Sequence, residues 1–394
     1  MASRGRRQID IRQALDTLRA AAEAIDRPVA FMEVCGTHTM AAFRSGLHGL
    51  LPPNVRLISG PGCPVCVTAQ SDIDQIIELA MDRSATICTY GDMLRVPGSR
   101  GSLETARSRG AAVRVIYSTM DAVKLAQAQP DRQVVLAAVG FETTAPATAA
   151  ALLAARQAGL DNFSVLVSHK QVLPAMTALL DSGEVGLDGF LCPGHVSVIV
   201  GARAFEPIVD QYRLPCVVGG FEAPHIAAAL ARLTQCVRDG RAQLINQYPQ
   251  AVTDHGNATA RAMIEQVFEP GAVRWRGLGT IPDSGLVLRP AFTAFDAAQR
   301  FALATPEDRE PRGCRCGEVI RGLISPDQCK LFANACTPVQ PIGPCMVSSE
   351  GTCAAWFKYS RATMKGQGPE KSQGGDRLEM SDRTGSDQTT EVRS

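Results

Sequence analysis

A series of short apolar runs, each ending in a glycine-rich or polar turn, constrains the fold of this chain most strongly. In the first block of the sequence these runs are Val29–Val34, Val55–Ile58, Ala85–Thr89 and Val113–Tyr117. An amphipathic helix precedes them, with apolar residues three or four apart at Leu15, Leu18, Ala22 and Ile25. Helical segments separate the runs, notably Asp72–Met81 and Ala122–Ala128. Such alternation of strands and helices predicts a parallel α/β sheet.

A second block repeats this organisation, with runs at Val134–Val139, Phe163–Val167, Gly189–Leu191 and Cys216–Val218. The phrase Gly-Phe-Glu follows a predicted strand twice, at residues 140–142 and 220–222, which is a weak internal repeat. After about residue 245 the periodicity ends, and the chain becomes irregular and rich in proline, glycine and cysteine.

The predicted fold class is therefore α/β, with two parallel-sheet, Rossmann-like α/β domains and a smaller irregular, cysteine-rich domain. We predict the two α/β domains over residues 1–130 and 131–245, and the cysteine-rich domain over residues 246–360. Residues 361–394 contain glycine, serine, glutamine, threonine and alternating charges without an aromatic residue, so we predict a disordered tail there.

Two cysteine motifs directly follow predicted strands, where open α/β sheets bind their ligands. CGTHT places Cys35 and His38 three residues apart, and thiolate and imidazole are both good ligands for iron or zinc. The alternative is a buried cysteine beside a turn histidine. GPGCPVC supplies Cys63 and Cys66 as a C-x-x-C pair, whose geometry suits either a dithiol–disulfide couple or two ligands of one metal.

Six further cysteines crowd the region between residues 314 and 353. They are Cys314, Cys316, Cys329, Cys336, Cys345 and Cys353, separated by one, twelve, six, eight and seven residues. The paired C-x-x-C knuckles of a zinc ribbon are missing, whereas four cysteines in irregular loops suit an iron–sulfur cluster. The two remaining cysteines would be free to form a redox pair beside it. A zinc site or plain disulfides remain the alternatives.

The remaining candidates carry less weight. Cys88, Cys192, Cys216 and Cys236 are scattered along the chain, and isolated cysteines are commonly small buried apolar residues. His195 of PGHVS and Glu142 and Glu222 of the two Gly-Phe-Glu turns share the strand-end location. Histidine and glutamate in turns more often form hydrogen bonds or caps than act in catalysis.

Charge and composition exclude several classes of function. The net charge is +1, from 40 basic and 39 acidic residues, so we expect neither a nucleic acid nor a membrane surface as partner. The sequence lacks an apolar run of about 18 residues and an export signal, and we therefore expect a cytoplasmic protein. Stable disulfides are disfavoured in that reducing compartment, so clustered cysteines favour metal or redox chemistry. The phosphate-binding glycine motifs of nucleotide-dependent enzymes are also missing.

Several long motifs resemble those of the HypD family of hydrogenase maturation proteins. They are FMEVCGTHT, GPGCPVC, GFETTAP, PGHVS and CTPVQPIGPCMVSSEGTCAAW, and the resemblance extends from about Phe31 to Tyr359. It implies a role in assembling the Fe(CN)2CO group of nickel–iron hydrogenase. It also implies two protein partners: the small chaperone HypC, whose N-terminal cysteine shares the iron, and HypE, which supplies cyanide. The implied architecture has two α/β domains and a third domain that carries a cluster.

The resemblance also implies roles for individual residues. Cys35 would be the principal ligand of the iron under assembly, Cys63 and Cys66 would be a partner dithiol that also serves as metal ligands, and His38 would lie beside them. The third domain is similar to the cluster environment of ferredoxin:thioredoxin reductase. That similarity assigns a [4Fe-4S] cluster to Cys314, Cys329, Cys336 and Cys353, and an adjacent redox pair to Cys316 and Cys345. Which four of the six hold the cluster stays open at this point.

A mechanism in outline follows as a hypothesis. Cyanide and carbon monoxide need a soft, electron-rich iron, and thiolates supply that softness. A cluster in the same chain would pass electrons through Cys316 and Cys345 to Cys63 and Cys66 and so make those thiols ready to bind. The protein would then be an assembly scaffold with redox chemistry rather than a turnover enzyme. The alternative is an iron–sulfur-dependent thiol–disulfide reductase that acts on a protein partner.

Overall fold

The structure is a computed structural model that describes residues 9–82 and 85–360. In these ranges the strands are Val29–Glu33 (β1), Val55–Ser59 (β2), Ala85–Thr89 (β3), Val113–Val115 (β4), Gln133–Gly140 (β5), Phe163–His169 (β6), Gly189–Pro193 (β7), Cys216–Gly219 (β8), Leu244–Asn246 (β9), Phe268–Trp275 (β10) and Gly279–Leu288 (β11). The predicted tail, residues 361–394, lies outside the described residues.

The helices of the described ranges follow the strands in regular alternation up to β9. They are Ile11–Glu23 (α1), Gly36–Arg44 (α2), Pro64–Val67 (α3), Gln70–Asp82 (α4), Leu103–Ser108 (α5), Thr119–Ala128 (α6), Ala145–Gln157 (α7), Val172–Ser182 (α8), Gly194–Val200 (α9), Glu206–Tyr212 (α10), Ala223–Arg238 (α11), Ala258–Val267 (α12), Ala297–Arg300 (α13), Cys316–Ile320 (α14), Pro344–Val347 (α15) and Thr352–Tyr359 (α16). Among these, no helix has both the length and the apolar character needed to span a membrane.

Two parallel sheets form the framework, as the alternating pattern predicts. The first sheet has the strand order β2-β1-β7-β8-β9, and the second has the order β4-β3-β5-β6. Every neighbouring pair within each sheet is parallel. The predicted α/β class with two parallel sheets is therefore confirmed.

The pairing corrects the predicted boundary between residues 130 and 131. The first sheet joins β1 and β2 to β7, β8 and β9, while the intervening strands β3 to β6 form the second sheet. Ala85 of β3 pairs with Gln133 of β5, across the predicted boundary. Both sheets use parallel strands joined through helices, so the alternation in the sequence does not reveal which strands are neighbours.

Three groups of apolar side chains hold the sheets in place. Helices α1, α2 and α11 cover one face of the first sheet, and α6, α7 and α12 contribute to a core around the second sheet. The largest core lies between the sheets and contains Met32 of the first sheet and Val135 of the second. Cys63, Cys66, Cys316 and Cys345 also belong to this core. The candidate redox cysteines therefore share one apolar interior with both sheets.

The segment after residue 245 is more regular than its composition predicts. It contains α12 and a long antiparallel hairpin formed by β10 and β11. The hairpin also pairs with the α/β framework through isolated bridges from Thr68 to Trp275 and from Lys170 to Gly285. Its turn, residues 276–278, consequently reaches the chain that follows Cys66.

Candidate functional site

Cys35 lies at the junction between β1 and α2. Its backbone amide donates a 3.0 Å hydrogen bond to Glu33 Oε2, and the amides of His38 and Thr39 donate to its carbonyl oxygen. The residue is buried, with 8% of its surface exposed. An extended backbone at Cys35, followed at once by helix, places the thiol at the carboxyl end of a strand, as predicted for a ligand site in an open sheet.

The GPGCPVC loop lies directly against this junction. The Gly36 amide donates to the Gly62 carbonyl oxygen at 3.0 Å, and the Gly60 amide donates to the Glu33 carbonyl oxygen at 2.8 Å. A Cβ atom added to Gly62 would lie 2.1 Å from the Cys35 amide nitrogen. Only glycine therefore allows the two backbones to approach this closely.

The cysteine-rich segment closes another side of the same junction. Glu350 accepts a 2.7 Å hydrogen bond from the Thr37 hydroxyl, and its side chain lies where a Cβ atom on Gly36 would have to go. Helix α16 packs against α2, with the rings of Phe43 and Trp356 5.7 Å apart. Three segments far apart in sequence thus converge around Cys35.

His38 is completely buried beneath the second Gly-Phe-Glu turn. Its Nε2 lies 3.0 Å from the Gly220 carbonyl oxygen, and its ring centroid lies 4.7 Å from that of Phe221. Phe221 in turn stacks on His195 at 3.8 Å. Burial lowers the pKa of His38 to about 4, so its imidazole is neutral at pH 7.

Burial also sets the protonation of the groups around the Cys35 thiol. Desolvation, followed by the nearby Glu350 and Glu33 carboxylates, raises the pKa of Cys35 to about 12. Desolvation likewise raises the pKa of Glu33 to about 8, although Thr39 donates a hydrogen bond to it. Cys35 is therefore a thiol in this structure, and a cation bound to its sulfur would displace the proton.

Cys63 and Cys66 form a disulfide, with their Cα atoms 5.3 Å apart. Proline at position 64 begins the short helix α3, which contains Cys66, and the Cys66 amide donates to Cys63 Sγ at 3.2 Å. Helix α3 packs against β5, α14 and α15. The structure thus shows the disulfide form of the predicted couple, in which neither sulfur is a free thiolate. Its neighbours are the helices that carry Cys316 and Cys345.

The six later cysteines line a single small cavity of about 20 Å³. Their thiols form a chain of neighbours from Cys314 to Cys316, Cys345 and Cys353. Amides also point at two of the sulfurs: the Ile342 amide donates to Cys336 and the Cys353 amide to Cys345.

The donor set around this cavity suits an iron–sulfur cluster, because six thiols line it. Its other walls are mostly apolar and include Val319, Leu331, Phe332 and Met346, and no carboxylate or histidine is among its lining residues in the described ranges. Throughout residues 9–82 and 85–360, no three histidine, cysteine or carboxylate side chains converge as ligands of one metal ion would. The four cysteines of a cluster bind different irons and so need not converge on one point.

The structure separates the weaker sequence candidates. Glu142 is buried and accepts a 2.9 Å hydrogen bond from the Val172 amide, whereas Glu222 is 82% exposed on its side chain. The two Gly-Phe-Glu turns are therefore not equivalent. The four scattered cysteines are all buried, as the apolar interpretation predicts.

Sequence reasoning missed three groups near these cysteines: Glu33, Glu350 and Arg276. Glu33 interrupts an apolar run and could have been noticed as a charged residue inside a predicted strand. Glu350 lies within the long cysteine motif but far in sequence from CGTHT, which it approaches, and Arg276 lies outside every motif named above.

Comparison with known proteins identifies the family. The family model HypD, described as "Hydrogenase formation hypA family", matches residues 10–360. The chain is 50% identical to "Hydrogenase maturation factor HypD" of Azotobacter vinelandii over 351 residues, which cover 87% of this chain and 93% of the relative. It is 44% identical to the protein of the same name from Escherichia coli K12 over 354 residues, which cover 89% of this chain and 95% of the relative. The chain therefore belongs to the HypD family.

Proposed function

We propose that this chain is a hydrogenase maturation factor that serves as the scaffold on which the Fe(CN)2CO group of nickel–iron hydrogenase is assembled. The convergence of three segments on Cys35 carries the proposal. The Gly36–Gly62 hydrogen bond and the Thr37–Glu350 hydrogen bond hold CGTHT against the disulfide loop and the cysteine-rich segment. Iron is the cargo in this reaction, and Cys35 is the thiol that would receive it.

Two protein partners follow from the proposal. Cys63 and Cys66 are paired in a disulfide, so Cys35 is the free thiol among the three cysteines of CGTHT and GPGCPVC. A low-valent iron needs more soft ligands than one thiolate. A small chaperone of the HypC type would supply a further thiolate from its N-terminal cysteine, and a HypE-type protein would supply cyanide. Family membership and the hydrogenase maturation names of the relatives support both assignments.

The chain's own cysteines would convert the Cys63–Cys66 disulfide to a dithiol by thiol–disulfide exchange. A thiolate of the Cys316–Cys345 pair attacks the Cys63–Cys66 disulfide, and the second thiol of that pair resolves the mixed disulfide. The products are a Cys63–Cys66 dithiol and a Cys316–Cys345 disulfide, so two electrons and two protons move and no other reactant is needed. The packing of α3 against α14 and α15 supports this route.

We assign a resident [4Fe-4S] cluster to Cys314, Cys329, Cys336 and Cys353. When bound, such a cluster supplies one-electron transfer. The lining of one cavity by all six cysteines supports the assignment. The chain's residues would hold the cluster through four thiolates, exclude water with apolar walls, and leave Cys316 and Cys345 beside it.

Infrared spectroscopy tests the proposal directly. The chain is purified anaerobically together with its small chaperone, and the expected spectrum contains both cyanide and carbonyl stretching bands. A spectrum without these bands, from a preparation that reduces disulfides of a protein partner, would instead support the thiol–disulfide reductase.

A further inference from the structure

Arg276 is a fully buried guanidinium at the turn between β10 and β11. Its Nη2 donates a 3.2 Å hydrogen bond to Gln70 Oε1, whereas its Nε and Nη1 have no hydrogen-bond partner in the described ranges. Within those ranges no carboxylate oxygen lies within 4.0 Å of this guanidinium. Among the described residues, Arg276 is thus a buried cation with no carboxylate in direct contact.

Such an arrangement is costly unless negative charge is supplied nearby. Arginine stays protonated in proteins. A buried charge without a partner lowers the free energy of unfolding by about 3–5 kcal/mol. The neighbouring buried cation, Lys170, does have a carboxylate partner, because its Nζ lies 3.6 Å from Asp72 Oδ2. The unpaired N–H groups of Arg276 therefore indicate an anion that belongs beside it.

The backbone around Arg276 shows where that anion would be. The Arg276 amide donates to the Val67 carbonyl oxygen at 2.9 Å, one residue beyond Cys66. Gly277 has a left-handed backbone with φ of +75°, and a Cβ atom there would lie 2.5 Å from the Gly317 Cα atom, one residue beyond Cys316. The turn is consequently held between the disulfide helix α3 and the Cys316 helix α14.

The charge of Arg276 acts on the cysteine cavity. It interacts electrostatically with the thiols of Cys314 and Cys316, both of which line that cavity. Lys170 also interacts with Arg276, and its own charge is balanced by Asp72 and Asp308. In the apolar interior these interactions are screened much less than they would be in water.

We infer that Arg276 is the internal counter-cation of the cysteine cavity and sets the reduction potential of the cluster held there. The inference rests on the cluster assigned in the proposed function. Adding an electron makes the cluster site more negative, so a buried positive charge stabilises the reduced state and raises the potential. Net charge and hydrogen bonding are among the factors that set the potentials of such clusters. Arg276 is a positioning residue here, because it acts through the cluster.

A redox titration of the full-length, anaerobically purified protein tests this role, followed through the absorbance near about 400 nm. Arg276→Gln removes the charge and keeps hydrogen-bond donors, whereas Arg276→Lys keeps the charge. Arg274→Gln, two residues earlier on β10, is the matched control. We expect Arg276→Gln to disfavour the reduced state at least ten-fold, a shift of about 59 mV to more negative potential for a one-electron couple. Arg276→Lys and Arg274→Gln should stay close to the wild-type potential.

The outcomes separate this inference from the proposed function. A wild-type protein without the absorbance would contradict the cluster itself. A wild-type protein that has it, with an unchanged potential in Arg276→Gln or an equal shift in Arg274→Gln, would contradict only the role of Arg276. If Arg276→Gln loses the cluster while Arg276→Lys retains it, the counter-cation is supported. Loss of the cluster in both variants would show that the guanidinium shape is required for packing, and the inference would fail.

Discussion

The Gly36 amide donates a 3.0 Å hydrogen bond to the Gly62 carbonyl oxygen and so joins the two cysteine motifs that follow β1 and β2. These strands are neighbours in the first sheet, with Val29 paired to Val55 and Glu33 to Ser59. Because the strands are parallel and in register over five residues, their carboxyl ends present both loops at one edge. The sheet itself therefore brings the loops together.

Gly62→Ala should disturb this junction. The added Cβ atom would meet the Cys35 amide at 2.1 Å, and backbone must move to make room. Overpacking of this kind typically costs about 1–3 kcal/mol of unfolding free energy. Gly49→Ala is the control, since nothing lies within 4 Å of a Cβ atom there. Denaturant unfolding of the two variants in parallel measures the difference, and equal midpoints would disprove the close approach.

Cys35→Ser should abolish the cyanide and carbonyl bands while leaving the fold and the cluster intact. A hydroxyl is a far poorer ligand than a thiolate for low-valent iron. Cys88→Ser is the control, because Cys88 is also buried but lies on β3 of the second sheet. That variant should keep both bands and lose about 1–3 kcal/mol of stability from a poorly bonded buried hydroxyl. Normal bands in Cys35→Ser would rule out its role as iron ligand.

Alanine substitution of each assigned cluster ligand should remove the absorbance near about 400 nm. The assigned ligands are Cys314, Cys329, Cys336 and Cys353. Cys316→Ala and Cys345→Ala should retain most of that absorbance and instead prevent reduction of the Cys63–Cys66 disulfide. The assignment of the four ligands is wrong if Cys345→Ala bleaches the protein and Cys314→Ala does not.

Glu142 should make the protein less stable as pH rises. Burial raises the pKa of its carboxyl to about 7, above the ordinary value of 4.5, so the folded state holds the proton more tightly than the unfolded state. This stabilisation is complete below pH 4.5 and is lost as pH rises through 7.

A comparison of Glu142→Gln with wild type measures this effect. Between pH 5 and pH 8, the free energy of unfolding of the variant should rise by up to about 3 kcal/mol relative to that of wild type. The reason is that folding raises the Glu142 pKa by about two and a half units. Glu222→Gln is the control from the second Gly-Phe-Glu turn, whose carboxylate is largely exposed. A Glu142→Gln variant with the same pH profile as wild type would contradict the assignment.

The elements of the two sheets were predictable, because long buried strands leave clear apolar runs. Ala85–Thr89 has the predicted bounds, and Val55–Ile58 extends by one residue to Ser59. The β10–β11 hairpin was not predicted, because Pro270, Gly271 and Pro282 interrupt its alternation. Strand order could not be predicted either, since each parallel strand carries the same kind of pattern whichever neighbour it has.

The site was predictable only in part, for a similar reason. Cys35, Cys63 and Cys66 stand at strand ends within unusual glycine-rich phrases, so a single stretch of sequence marks each of them. Glu350 meets Thr37 across 313 positions of the chain, and only the folded structure can show such a contact. The roles assigned to the ten candidate residues stay predictions.

The first sheet combines two separate stretches of the chain, so its strands are synthesised at different times. β1 and β2 leave the ribosome early, but β1 finds its second neighbour only after β7, beginning at Gly189, has been made. The last residue that contacts the Cys35 junction, Glu350, is synthesised later still. Translation must therefore have passed residue 350 before the junction is whole. A nascent chain therefore cannot present a finished iron site. Metal captured during its synthesis would bind Cys35 before the residues around that thiol are in place.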